Sequence, residues 1–246
     1  MKKTLLLMLT LTGLYSCTPS ADEIVEKAME QAGADQFDGK EIRFDFRDKH
    51  YRSYRKDGRY LLERSFQKDS MEIRDVLTND GFERFSNDSL IAVADSMAVR
   101  YSNSVNSVHY FAYLPYGLNA QAVNKELLGK VRVNDKPYYK VKVWFDEQGG
   151  GSDYEDVFLY WIGQEDFQID YLAYEYHTNG GGIRFREAFN RRNIDGIDFV
   201  DYRNYKPAAQ KATLFTLDSL YMNDGLELLS LIELKDVKVG PCEDCK

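Results

Sequence analysis

The chain has 246 residues, 43% of them hydrophobic, which is enough for a sizeable core in one large β domain or two small ones. Its formal charge is −8, and losing Lys2 and Lys3 with a leader would bring it to −10. That balance argues against a nucleic-acid binder, which needs a net basic surface, and no later apolar run is long enough for a spanning helix.

Residues 1–16 read as an export signal: Lys2 and Lys3 are the basic start, and Thr4 to Leu14 a short apolar stretch. The signal closes on Leu14-Tyr15-Ser16-Cys17, which resembles a bacterial lipobox. The resemblance implies that Cys17 is acylated and that residues 17–20 form a tether, so the first expected partner is a lipid membrane. Two or three acyl chains anchor stably where one does not. Thr18 stands where an inner-membrane retention signal would place Asp, which by resemblance favours the outer membrane. An ordinary signal peptide with an incidental cysteine is the competing reading.

Ser20 and Glu23 have the spacing of a capping box, with Ile24, Val25, Ala28, Met29 and Ala32 on one helical face and Gly33 as the stop. Glu41–Arg47 alternates as an amphipathic strand. Asp57-Gly58 turns Tyr51–Arg55 into Arg59–Phe66, and strands follow at Met71–Thr78 and Phe82–Phe85. Between Asp95 and Tyr113 the period becomes helical, and Leu114-Pro115-Tyr116-Gly117 ends that segment.

The stretch from Leu127 to Tyr176 reads as four aromatic-rich strands, Val131–Val133, Tyr138–Phe145, Val157–Ile162 and Ile169–Tyr176, separated by turn chemistry. In the second, Tyr139, Val141, Val143 and Phe145 share one face, while Tyr138, Lys140, Lys142 and Trp144 share the other. Ile183–Arg191, Ile197–Tyr205, Ala212–Leu217 and Leu226–Val239 complete the expected strands, about ten to twelve in all. A meander of that size curls or closes. The expected fold is mainly β (α+β). It is one domain over residues 21–239, a large curled antiparallel sheet or half-open β-barrel with an N-terminal helix and a mid-chain helical lid around Val105–Leu118. Residues 240–246 form a tail.

A family resemblance rests on Asn106-Ser107-Val108-His109-Tyr110-Phe111-Ala112-Tyr113-Leu114-Pro115-Tyr116-Gly117-Leu118. It also rests on Tyr171-Leu172-Ala173-Tyr174, Gly182-Ile183-Arg184-Phe185-Arg186 and Asp201-Tyr202-Arg203-Asn204-Tyr205. These runs resemble motifs of a family of Bacteroidetes outer-membrane lipoproteins with no assigned catalytic role. That family is similar in layout to the lipoprotein carrier and receptor (LolA/LolB-like) fold, a half-open barrel with helices over a hydrophobic cavity. The resemblance implies a non-enzymatic binder of a lipid or acyl chain.

Candidate contacts for such an amphiphile are Tyr110, Tyr113, Tyr139, Trp144, Trp161, Arg184 and Arg186. Aromatic walls take a chain, and hydroxyls and guanidinium forks take a head group. Arg192 has the parity of Arg184 and Arg186 by count; a solvated face balanced by acids is the plainer reading of all three.

Asp146, Glu147, Asp153, Glu155 and Asp156 surround three glycines. They suit a plain acidic turn better than a calcium loop, and a hydrolase using them is the weaker alternative. A structural or interaction lipoprotein with a filled core is the other. His50, His109 and His177 have no zinc spacing, and no cofactor motif occurs. Cys242 and Cys245 read as a local disulfide in an oxidising compartment. Four Asp-Ser-apolar triplets, at Ser70, Ser89, Ser96 and Ser219, look like an O-glycosylation sequon of exported proteins, with Asp-Ser turn chemistry as the alternative. Nothing in the sequence sets an oligomeric state.

Overall fold

The computed structural model describes residues 18–151, 154–177, 180–209 and 211–243. Helix α1 (Ala21–Gln31) starts on the expected capping box. The Glu23 N–H donates to Ser20 Oγ at 3.2 Å, and the Ser20 N–H donates to the Glu23 carboxylate at 2.7 Å. Ile24, Val25, Ala28 and Met29 form its buried face. Gly33 ends the segment at φ 72°, where a Cβ would come within 1.9 Å of the Gly196 carbonyl oxygen. Only a residue without a side chain fits there.

The next strands form a meander: β1 (Lys40–Phe46), β2 (Lys49–Lys56), β3 (Arg59–Lys68), β4 (Met71–Thr78), β5 (Gly81–Ser86) and β6 (Ser89–Ile91). Helix α2 (Asp95–Ala112) carries the chain to a second meander. That one comprises β7 (Val123–Val133), β8 (Lys136–Phe145), β9 (Val157–Gly163), β10 (Ile169–Tyr176), β11 (Gly182–Ile194) and β12 (Ile197–Pro207). Helix α3 (Leu217–Met222) follows, then β13 (Leu226–Ile232) and β14 (Lys235–Pro241). Asp57-Gly58, Asp69-Ser70, Asn87-Asp88, Asn134-Asp135 and Asp195-Gly196 all have positive φ at both positions. That is the turn matching the right-handed twist of flanking strands.

The architecture is mainly β, as expected, with 14 strands among the described residues and no closed barrel. The sheet is divided in two. One has the order β14-β1-β2-β3-β4-β5-β6, the other β13-β12-β11-β10-β9-β8-β7. The division falls inside Leu226–Val239, read from sequence as one strand. After Ile232 the chain leaves β12 and pairs with β1. Leu234, buried at the crossing, donates its N–H to Asp201 at 2.9 Å and receives the Arg192 guanidinium on its carbonyl at 2.6 Å. A second correction concerns Ala212–Leu217. Instead of a strand it contains a short 3-10 turn, Leu214–Thr216, leading into α3. Leu214 and Leu217 are drawn onto the second sheet, and Asp218 onto Lys140 at 2.7 Å and the indole of Trp161 at 3.1 Å.

The second sheet is thus covered on both faces. Tyr139, Val141, Val143, Phe158, Tyr160 and Leu172 pack under α1 and the segment after α2. Tyr138, Leu159, Trp161, Tyr171 and Phe185 pack under α3. The parity read for β8 is the one observed.

Candidate ligand cavity

Helix α2 runs between the outer edges of the two sheets, from β6 to β7. Its attachments differ on its two sides. Toward the first sheet they are polar and buried. Asp75, with no exposure, binds the Arg64 guanidinium (Nη2, 2.5 Å) and the Arg84 guanidinium (Nε, 2.5 Å). Arg64 in turn donates to Ser104 Oγ at 2.7 Å, and Arg84 lies 3.4 Å above the Tyr101 ring. Further along, His109 Nε2 donates to the Glu63 carbonyl at 3.2 Å. The Tyr113 hydroxyl joins His109 Nδ1, at 3.1 Å, to Ser53, at 2.6 Å. Burial away from water lowers the His109 pKa to about 3, so the ring is neutral.

Toward the second sheet α2 presents aromatic rings. Tyr110 packs on Phe158 and shares a 2.9 Å hydrogen bond with the Tyr160 hydroxyl. Burial pushes both phenols well up, so they act as neutral hydrogen-bonding groups. Phe111 packs on Phe158 and Tyr174.

Between α2 and this sheet lies a cavity of about 920 Å³. Its roof is the Val99–Ala112 part of α2, and its floor is drawn from β8 to β13: Phe145, Phe158, Tyr174, Arg184, Arg186, Val200, Tyr202, Asn204, Ser230 and Ile232. The size is at the upper end of the roughly 300–1,000 Å³ typical of ligand pockets. The roof is therefore shifted from the expected Val105–Leu118. Leu114 and Leu118 belong to the core beside α1.

Tyr110, Arg184 and Arg186 line the cavity. The other four expected contacts lie elsewhere. Tyr113 is held in the Ser53–His109 chain, and Tyr139 is in the α1 core against Phe167. Trp161 is on the α3 face bonded to Asp218, and Trp144 is half-buried beneath Lys142. Arg192 is diverted by a bulge between Phe189 and Arg192, which breaks the period-2 count and turns its guanidinium onto Asp201 at 3.1 Å.

Of the acidic loop, Asp156 reaches the cavity wall and faces His177 at 3.7 Å, while Asp146 accepts from Asn124 at 2.7 Å. Asp153 lies outside the described residues. Among the described residues no three His, Cys, Asp or Glu side chains gather as a metal site. His50 is at the surface against Asp45. Ser70, Ser89, Ser96 and Ser219 are all exposed; Ser70 lies in a hairpin turn, Ser89 directly follows one, and Ser96 and Ser219 lie in the first turns of α2 and α3. Cys242 is disulfide-bonded. Cys17 and Cys245 lie outside the described residues.

The sequence reading missed Phe111, Asn204 and Ser230. The roles of Asn204 and Ser230 depend on strand register, and that of Phe111 on which face α2 turns to the second sheet, neither of which composition and period carry. The one local signal was Asn204, polar on a β12 face otherwise given to Val200 and Tyr202.

Comparison with known proteins now places the chain, because the DUF6503 family of unknown function matches it over residues 2–234. The chain belongs to that family. No curated protein matches it. Among solved structures, it is similar to a LolA superfamily protein from Nitrosomonas europaea, with a TM-score of 0.51 at 14% identity over 92% of this chain and 96% of that one. A DUF1329 family protein from Desulfovibrio piger has a TM-score of 0.46 at 11% identity, over 93% and 96% of the two chains. The first likeness establishes that this DUF6503 member has a LolA-like fold.

Proposed function

We propose that the protein is a membrane-anchored envelope lipoprotein that holds an amphiphile, a lipid or acyl chain, between α2 and the second sheet. The cavity carries this reading. Phe111, Phe145, Phe158 and Ile232 supply an apolar wall in a space large enough for a ligand. Each buried CH₂ contributes about 0.8 kcal/mol, so a chain of about fifteen methylenes supplies roughly 12 kcal/mol, which leaves micromolar binding after an association cost of about 4 kcal/mol. The leader and Cys17 support the anchor, and an anchor favours a receptor or holding role over a diffusing shuttle. The LolA-like fold supports the placement of a cavity under a helix.

The test is displacement of a fluorescent fatty-acid probe by envelope lipid extract. Val108 lines the roof, so Val108→Gln places a polar amide against the chain and should weaken the probe about tenfold. Absence of saturable probe binding would refute the proposal.

A further inference from the structure

We propose that Arg186, with Asn204 and Ser230 beside it, is a head-group subsite for an amphiphile ending in a carboxylate or phosphate monoester. The inference rests on the reading of the cavity as an amphiphile site. Arg186 on β11 pairs with Asn204 on β12, and Asn204 with Ser230 on β13, so the three stand side by side across the cavity floor.

Arg186 is 7% exposed. Its Nη2 donates to the Tyr174 hydroxyl at 2.8 Å, whereas Nε and Nη1 have no hydrogen-bond partner among the described residues. Phe111 covers the guanidinium at 3.8 Å and Tyr174 flanks it at 5.0 Å. Those π faces offset part of the desolvation of the cation but leave the N–H groups unused. Elsewhere this protein pairs its buried cations: Arg64 with Asp75 at 2.5 Å, Lys140 with Asp218 at 2.7 Å. An unpaired buried guanidinium at a cavity wall is the exception, and an incoming anion removes the penalty.

The surroundings agree. Four arginines, Arg47, Arg100, Arg184 and Arg186, line the cavity against one acid, Asp156, in a chain of net charge −8. None of the four has a carboxylate within ion-pair distance among the described residues. The overall negative charge repels anions, so this local field selects where one is held. Asn204 Oδ1, also without a partner, is placed to accept from the protonated oxygen of a phosphate monoester, while its Nδ2 is engaged with Ser230 Oγ at 3.2 Å.

The experiment compares three ligands of one chain length, hexadecanoate, hexadecyl phosphate and hexadecanol, as competitors of a fluorescent acyl probe on the purified protein, with inorganic phosphate as the chainless arm. Both anions should bind at least about tenfold tighter than the alcohol, the scale of a charge-assisted hydrogen bond. Arg186→Gln should abolish that difference, bringing both anions to the affinity of hexadecanol for the same variant. Equal binding of all three ligands to the unmodified protein would overturn the subsite and leave the cavity reading standing. Binding of none would overturn both. Competition by inorganic phosphate as strong as by hexadecyl phosphate would overturn the amphiphile in favour of a free anion. The wild-type comparison needs no variant, so a misfolded Arg186→Gln does not decide the matter.

Discussion

Replacing Asp75 with Asn removes the charge on which the α2 attachment depends. Asp75 is fully buried and accepts from Arg64 at 3.1 and 2.5 Å and from Arg84 at 2.5 and 2.9 Å. The Arg64 and Arg84 side chains are only 7% and 12% exposed, so neither can turn to water without moving α2. Breaking a buried ion network by deleting one member costs about 3–5 kcal/mol, since it strands the opposite charge. For a domain of this size that lowers Tm by about 10 °C. Urea unfolding followed by the fluorescence of Trp144 and Trp161 should show the midpoint falling with an unchanged slope. The triple variant Arg64→Met, Asp75→Leu, Arg84→Met should recover most of the loss, because no charge is then stranded. A loss below about 1 kcal/mol in the single variant would show that water reaches these arginines, and would refute the account of how α2 is held.

Three further outcomes follow from other parts of the chain. His109 stays neutral in the fold to about pH 3, whereas the unfolded chain takes up its proton below 6.5, so stability should fall as pH falls through that window, by about 1.4 kcal/mol per unit, and His109→Gln should flatten the urea midpoint against pH. Gly33→Ala should cost more than about 2 kcal/mol in the same assay, since its Cβ meets a backbone oxygen, while Gly58→Ala, at similar φ in open space, should cost about 1 kcal/mol. Cys17→Ser should abolish metabolic palmitate labelling and release the protein from membranes or leave it unprocessed; labelling that survives would defeat the anchor.

What the sequence disclosed was local. The Ser20–Glu23 box, the span of α2, the two faces of β8 and the Asp57-Gly58 turn all depend on neighbours within a few residues, and all appear in the structure. What it withheld was long-range. The Leu226–Val239 run holds no Gly, Pro or Asn to mark a turn, and only Asp201 and Arg192, distant in sequence, pull Leu234 out of one sheet and into the other. Ala212–Leu217 has a strand's composition, but the buried Lys140–Asp218 pair holds the next residues as a helix. The same limit applies to the cavity. Arg184 and Arg186 were legible by parity, whereas Trp161 looked equivalent to Tyr110 until register put it on the opposite face of the sheet. Arg192 shows how a single bulge defeats counting by twos.

The most direct test of the amphiphile reading is mass spectrometry of lipids extracted from the folded protein purified from its native envelope. The account predicts a single class of anionic amphiphile at close to one molecule per chain, lost when Phe111 and Val108 are both replaced by Gln. Protein that is folded by circular dichroism yet yields no lipid above a detergent blank would contradict it.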